Sequence, residues 1–409
     1  MNETTLGRLT LIGGPPVEST LRELILKATR AILGLVPNEN LKALVLGGGY
    51  GRGEGGIRIG EDGERPANNL DLLLFTVGLR TAPRAQLTAK VNHALDTLRR
   101  RSGMGIDFSV VDARRMERDR VRVLWYDVRH GHKLLAGDPA FLQGLTRFTA
   151  ENIDRREMAD LVINRGALLV LNDVILASGP LTPVRREAVL THTAKAVIGY
   201  GDAFLFTRGA YHWSYAERRH RMAEMKIPAS QEFKALYETA MRYRFSGDSG
   251  AGDRLVAEAK NGHLTRVLAT LHLEVERRRF RQRHMTFDGY VARSLRHDLD
   301  DIKSSLRKLA KGALTLVRSG FRISRGSPSS LRTALQAGGE QGAVRALFPL
   351  MLYGHGGAED LAAARSVLGV KKPKSNAGRM AWLRMWGRVF DPNLVFTFRR
   401  LGLPAEVAA

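Results

Sequence analysis

The sequence predicts an α+β fold, in which a small N-terminal mixed sheet with helices is followed by all-α domains. Two observations predict the sheet: an apolar run at residues 44–46 leads directly into a glycine-dense loop, and the later apolar runs 70–75 and 105–111 each carry one acid. A third observation predicts the helical part, because apolar residues after Pro139 recur at helical spacing with almost no alternation. Segregation of strands and helices along the chain is typical of α+β proteins.

Length and composition limit the possible classes of protein. The chain has 409 residues, enough for two or three domains at the usual ~100–200 residues each. It has no cysteine, which excludes disulfides, thiolate metal sites and a cysteine nucleophile. No apolar run approaches the ~20 residues that a membrane-spanning helix needs, and no signal-type hydrophobic core follows the N-terminus. We therefore expect a cytoplasmic protein without a transmembrane segment.

The charge is strongly positive. The formal net charge is +23 and the pI is near 10.7, and most of the excess lies after residue 150. Such a field favours phosphate-rich partners, namely nucleotides, nucleic acid, phosphorylated glycans or an anionic membrane surface. A host whose proteins are generally rich in arginine would give the same composition, and composition alone does not separate these alternatives.

The elements and boundaries follow from periodicity. Helical spacing predicts a helix from Leu21 to Leu35 and another that starts at Ala82-Pro83 and ends in three arginines. Strands are expected at 42–47, 70–75, 105–111 and 121–127, and long helices at 156–178, 185–209 and 264–280. We expect a first domain at 1–140, a helical domain at 141–325, a linker at 326–330 and a C-terminal helical region at 331–409. Trp382 and Trp386, one helical turn apart, are expected to be core residues rather than base-stacking platforms.

Two polar side chains project together at the start of the second apolar run. Successive residues of a strand point to opposite faces, so Asn69 and Asp71 share one face and the leucines beside them take the other. Asp107 is the lone acid of the next strand, and a carboxylate buried in an apolar strand needs a partner or a metal. These three residues are therefore candidates for one site beside the glycine loop.

The order of these features resembles the DNA polymerase β-type nucleotidyltransferase superfamily. That family has a Gly-Gly or Gly-Ser motif, an Asp-hydrophobic-Asp pair and a third carboxylate on a neighbouring strand, which together hold two magnesium ions. By resemblance, Gly48 and Gly49 match the glycine motif, Asp71 the second acid of the pair and Asp107 the third. Asn69 departs from the pattern, since the family has Asp there, and an insertion around 58–66 lengthens the spacing.

The resemblance implies a function. It implies metal-dependent transfer of a nucleotide, from a nucleoside triphosphate such as ATP, to an acceptor hydroxyl. It implies magnesium as the cofactor, with two ions, or one because Asn69 supplies one negative charge fewer. The expected nucleotide-binding residues are Gly48, Gly49, Tyr50, Arg52 and Glu54. The alternative is a catalytically degenerate member of the same fold that binds nucleotide or nucleic acid.

Other interpretations of the sequence stay open. Residues 51–56 satisfy the GxGxxG dinucleotide fingerprint, but that fingerprint must open a helix, and the residues that follow lack helical periodicity. A glycine-rich hairpin turn without a ligand is a further alternative. Lys195 and Asp202, seven residues apart in a predicted helix, are candidates for the acceptor side or a solvated pair. The arginine-rich run 277–283 and the basic stretch 308–325 would either track a phosphate backbone or face solvent.

Overall fold

The computed structural model describes residues 6–226, 231–260, 262–297, 340–391 and 393–403. The chain divides into two compact units, Met1–Glu157 with Arg208–Gly252, and Met158–Thr207 with Asp253–Ala409. The predicted linker at 326–330 and the basic stretch 308–325 lie outside the described residues. The domain boundaries that we placed at 140 and 325 stay a prediction.

The first unit contains a four-stranded mixed sheet in the order β5-β4-β1-β6 and a separate hairpin, β2-β3. Strand β1 is antiparallel to β4 and β6, whereas β4 and β5 are parallel. The connection from β4 to β5 runs through helix α3, the crossover that a parallel pair requires. The strands are β1 (Leu41–Leu46), β2 (Ile57–Gly60), β3 (Gly63–Pro66), β4 (Leu70–Thr76), β5 (Ile106–Asp112) and β6 (Lys133–Gly137).

Helices α1 and α3 share one core with the sheet. Buried leucines at alternate positions of β4, Leu70, Leu72 and Leu74, belong to a cluster that also contains Leu21 and Val91 of these helices. The side chains at the other alternate positions of β4 and β5 project from the opposite face of the sheet. The helices of this unit are α1 (Pro15–Leu33), α2 (Gly48–Arg52), α3 (Thr81–Ser102), α4 (Ala113–Arg118), α5 (Val123–His130), α6 (Ala140–Gln143), α9 (Tyr215–Glu224) and α10 (Gln231–Ser246).

Among its described residues, the second unit has helices and connecting segments but no strand. Helices α8 and α12 pack together, and α14 packs on α12 and α16. Trp382 and Trp386 are fully buried, which confirms that they are core residues. The helices are α7 (Arg155–Ala177), α8 (Pro183–Thr207), α11 (Ser249–Lys260), α12 (His263–Phe280), α13 (Tyr290–His297), α14 (Glu340–Tyr353), α15 (Ala358–Leu368), α16 (Asn376–Phe390) and α17 (Leu394–Arg400), the first and third of which begin in the first unit.

The structure confirms the α+β class and the three long predicted helices, and it corrects one local prediction. Residues 121–127 do not form a strand, because helix α5 covers most of them and buries Trp125, Tyr126 and Val128. The glycine loop begins as the short helix α2, and strand β2 follows it, so the GxGxxG sequence does not open a helix, as the lack of helical periodicity after it predicts. Across the described ranges, every helix is too short or too polar to be a candidate membrane span.

Candidate functional site

Asp71 and Asp107 lie side by side in the sheet. They are direct partners in the parallel ladder of β4 and β5, and neighbouring strands are about 4.8 Å apart. Partners in register project to the same side of a sheet, so the two carboxylates share the face opposite Leu70 and Leu72. Parallel pairing therefore brings together two acids that are 36 positions apart in the sequence.

The surroundings of Asp107 differ from our expectation. The side chain is exposed, because β5 is an edge strand and this face of it is open to solvent. The prediction that Asp107 is a buried charge was therefore wrong. Asp71 is half-buried, and the case for a site rests on the register of the two acids instead of on the cost of desolvation.

Asn69 joins the two acids. It lies one residue before β4, is exposed, and its Nδ2 donates a hydrogen bond of 3.0 Å to Asp107 Oδ2. The amide thus acts as a donor towards a carboxylate where a second carboxylate would repel it. All three of the residues that we predicted at the metal site are consequently neighbours in one unit.

The backbone of the glycine motif lies against Asp71. The Gly47 N–H donates to the Asp71 carbonyl oxygen at 2.8 Å, which ties the end of β1 to the start of β4. Gly48 has φ +61°, and a Cβ at this position would overlap the Asp71 carboxylate. Only glycine meets both requirements, since it tolerates positive φ and presents no side chain. Gly48 and Gly49 open helix α2, which places their backbone beside the acids.

Tyr50 is part of the core below the loop. The side chain is fully buried. Its hydroxyl accepts a hydrogen bond from the Asn68 N–H and donates one to the Gly56 carbonyl oxygen. Burial raises the pKa of this hydroxyl above its ordinary value, so it remains a donor at neutral pH. Tyr50 thus links residue 56 of the glycine loop to residue 68, which precedes β4. Direct contact of Tyr50 with a nucleotide stays a prediction.

Arg52 and Glu54 are engaged with residues far along the chain. Arg52 Nη2 pairs with Asp127 Oδ2 at 2.6 Å. Glu54 is buried and accepts hydrogen bonds from Ser214 Oγ and from the Tyr215 and Ala216 N–H groups. These contacts fix the loop and the start of α9, and a role as nucleotide ligands stays a prediction for both side chains.

Sequence analysis missed the contribution of residues 208–252. Arg244 of α10 approaches the glycine loop, with Nη2 only 3.3 Å from the position that a Cβ on Gly49 would occupy. Its Cζ also lies 4.0 Å from the centroid of the Tyr215 ring. No local pattern identifies this arginine among the many basic residues of the chain, because its position depends on contacts across almost two hundred residues.

Lys195 and Asp202 belong to helix α8 of the second unit. Lys195 is exposed and Asp202 is buried, at 5% exposure, so the two side chains have different surroundings despite their helical spacing. Contact with an acceptor stays a prediction for both.

The donors present suit a hard cation only in part. Asp71, Asp107 and the Asn69 carbonyl are oxygen ligands of the kind that magnesium prefers. In the part of the chain that the structure describes, no group of three or more His, Cys, Asp or Glu side chains is arranged to hold a metal. Two carboxylates and one amide therefore fit one cation better than two. Comparison with models of known protein families and with curated proteins gave no match.

Proposed function

We propose that this protein transfers a nucleotide from a nucleoside triphosphate to an acceptor hydroxyl, with magnesium as the cofactor. The observation that carries the proposal is the pairing of Asp71 with Asp107 in register, directly beside Gly48. Two acids near the starts of β4 and β5, beside a glycine backbone, bring cation ligands and phosphate-binding N–H groups to the same place. The acceptor is open, and the basic second unit is consistent with a nucleic acid or a phosphorylated molecule.

The residues of the chain would divide the work. Asp71 and Asp107 would hold the metal, and Asn69 would add a neutral oxygen once its bond to Asp107 is released. Bound magnesium would neutralise charge on the phosphate oxygens during in-line displacement of pyrophosphate. The Gly48 and Gly49 backbone approaches the triphosphate, because no side chain intervenes. Tyr50, Arg52 and Glu54 keep the loop in position through the contacts described above.

The hydrogen bond from Asn69 favours a second candidate function. An amide at this position satisfies Asp107 without a metal, and it removes one negative charge from a site that would hold two dications. A degenerate protein that binds nucleotide but does not transfer it would have the same geometry. Nucleotide binding without nucleotide transfer would identify the degenerate protein, whereas transfer would identify the enzyme.

A transfer assay with an Asp71 variant tests the proposal. We expect the wild type to release pyrophosphate from α-labelled ATP in magnesium and to leave the label on an acceptor hydroxyl, screened among nucleic acids, proteins and glycans. Asp71→Asn should abolish transfer and metal-dependent nucleotide binding and leave the circular dichroism spectrum unchanged. Asp62→Asn, an equal charge change on the exposed β2-β3 turn, is the control. Equal nucleotide binding by wild type and Asp71→Asn in magnesium would refute the assignment for both candidate functions.

A further inference from the structure

Three arginines surround one tyrosine in the first unit. The Cζ atoms of Arg218, Arg244 and Arg52 lie 3.8, 4.0 and 4.9 Å from the centroid of the Tyr215 ring. We call this group the Tyr215 arginine cluster. Cation–π contacts favour each arginine individually, but three guanidinium groups at one ring also repel each other and require acceptors.

The acceptors around the cluster pair with Arg52 Nη2 and with Arg218, whereas Arg52 Nε is buried without an acceptor among the described residues. Asp127 pairs with Arg52 and also accepts a hydrogen bond from Tyr211. Arg218 donates to the carbonyl oxygens of Ser214 and Trp213.

The other carboxylate at the cluster, Glu54, is already an acceptor for Ser214, Tyr215 and Ala216. Within the described residues, the Nε–H of Arg244 is buried and has no hydrogen-bond acceptor. A buried donor without an acceptor is costly in a folded protein, and an anion would satisfy it.

The backbone of α10 fixes Arg244 against the glycine loop. A Cβ on Gly56 would overlap the Arg244 carbonyl oxygen, and a Cβ on Gly49 would lie 3.3 Å from Arg244 Nη2. Glycine at positions 49 and 56 therefore permits the close approach of Arg244 to the loop. Asp71 contacts Gly48, the residue next to Gly49, so the acid and the guanidinium meet consecutive residues of α2.

We propose that Arg244 binds the pyrophosphate portion of the nucleoside triphosphate, an inference that rests on the proposed function. A guanidinium offers a planar set of N–H donors that matches phosphate oxygens, and contact with an aromatic ring orients it and leaves its edge free. The acids then face the reacting end of the nucleotide and Arg244 the polyphosphate end. The site consequently selects triphosphates over monophosphates.

Calorimetry with inorganic tripolyphosphate, in EDTA, tests this contact separately from the metal. We expect the wild type to bind tripolyphosphate and Arg244→Gln to bind it roughly 10- to 100-fold more weakly, which is the usual effect of losing one charge-assisted pair. Arg244→Lys should recover part of the affinity, because it restores the charge without the planar donors. Arg242→Gln is the matched control, since Arg242 lies on the same helix, is exposed and pairs with Asp248. AMP affinity should be the same in all four proteins.

Each outcome decides the inference. Absence of tripolyphosphate binding to the wild type, or equal affinity in Arg244→Gln, would overturn it. If the circular dichroism spectrum shows that Arg244→Gln is unfolded, Arg244→Lys takes its place, and affinity equal to that of the wild type would then overturn the inference. If transfer activity is absent but tripolyphosphate binding depends on Arg244, the proposed reaction fails while the Arg244 site stands. If transfer occurs and Arg244 variants bind normally, only the Arg244 site fails.

Discussion

Asn69→Asp should be less stable than the wild type without magnesium and more stable than the wild type with it. In the wild type the Asn69 amide donates to Asp107. The aspartate removes this donor and adds a third negative charge beside Asp71 and Asp107. Without a metal we expect the variant to be less stable by about 1 kcal/mol, the usual net value of one hydrogen bond, plus a small repulsion screened by solvent.

Magnesium should change the sign of this difference. Three carboxylates bind a dication more tightly than two, and a cation that binds only the folded state stabilises it by about 2.7 kcal/mol at a hundredfold excess over Kd. The variant should therefore melt below the wild type in EDTA and above it in saturating magnesium. The assay is thermal unfolding monitored by circular dichroism across a magnesium titration, with calcium as a second cation.

Two results would refute this reasoning. If magnesium raises the melting temperature of Asn69→Asp by no more than it raises that of the wild type, residue 69 is not a metal ligand. If the variant is more stable than the wild type in EDTA, the hydrogen bond to Asp107 has no stabilising role. If Asn69→Asp gains transfer activity, the protein lacks only this charge. If it gains none, the protein is degenerate in other respects as well.

Three further predictions concern a buried histidine, a buried carboxylate and the basic helices. Burial lowers the pKa of His272 to about 4 from 6.5. As the pH falls, the unfolded state therefore takes up a proton at a higher pH than the folded state does. The free energy of unfolding should then fall by about 3 kcal/mol as pH decreases from 6.5 to 4, and urea unfolding of His272→Leu should show a weaker pH dependence. Glu54→Gln turns an acceptor of the Tyr215 N–H into a donor and should cost about 2 kcal/mol in urea unfolding, whereas Glu61→Gln on the exposed hairpin should cost nothing measurable. If the basic helices bind nucleic acid, log K should fall by roughly one unit per log unit of salt for each phosphate neutralised, and fluorescence anisotropy that shows salt-insensitive or no binding to single and double strands would exclude this partner.

Periodicity was sufficient for the elements that stabilise themselves locally. The helices at 155–177, 183–207 and 263–280 bury an apolar face or all of their faces, and their bounds differ from the predicted ones by no more than a few residues. At the start of strand β4, Leu70 and Leu72 alternate with Asp71, and Asn69 directly precedes the strand, so the two faces could be assigned from the sequence.

Elements whose state depends on distant contacts could not be predicted in the same way. Residues 121–127 alternate weakly and have several β-formers, but Trp125 packs on Phe75 and Tyr126 on Tyr211, and these contacts favour a helix. The Tyr215 arginine cluster also depends on distant contacts, since Glu54 and Ser214, which bond beside it, are 160 positions apart. The exposure of Asp107 follows from the edge position of β5, which no local pattern specifies.

Asp71 and Asp107 are proposed to bind one divalent cation together with a nucleoside triphosphate. Electron paramagnetic resonance of manganese measures this binding most directly, because the free ion and the protein-bound ion give different signals. We predict bound manganese in the wild type with ATP, loss of the bound signal in both Asp71→Asn and Asp107→Asn, and no change in the control Asp62→Asn. A bound signal of equal intensity in all four proteins would show that the two acids are not the metal ligands.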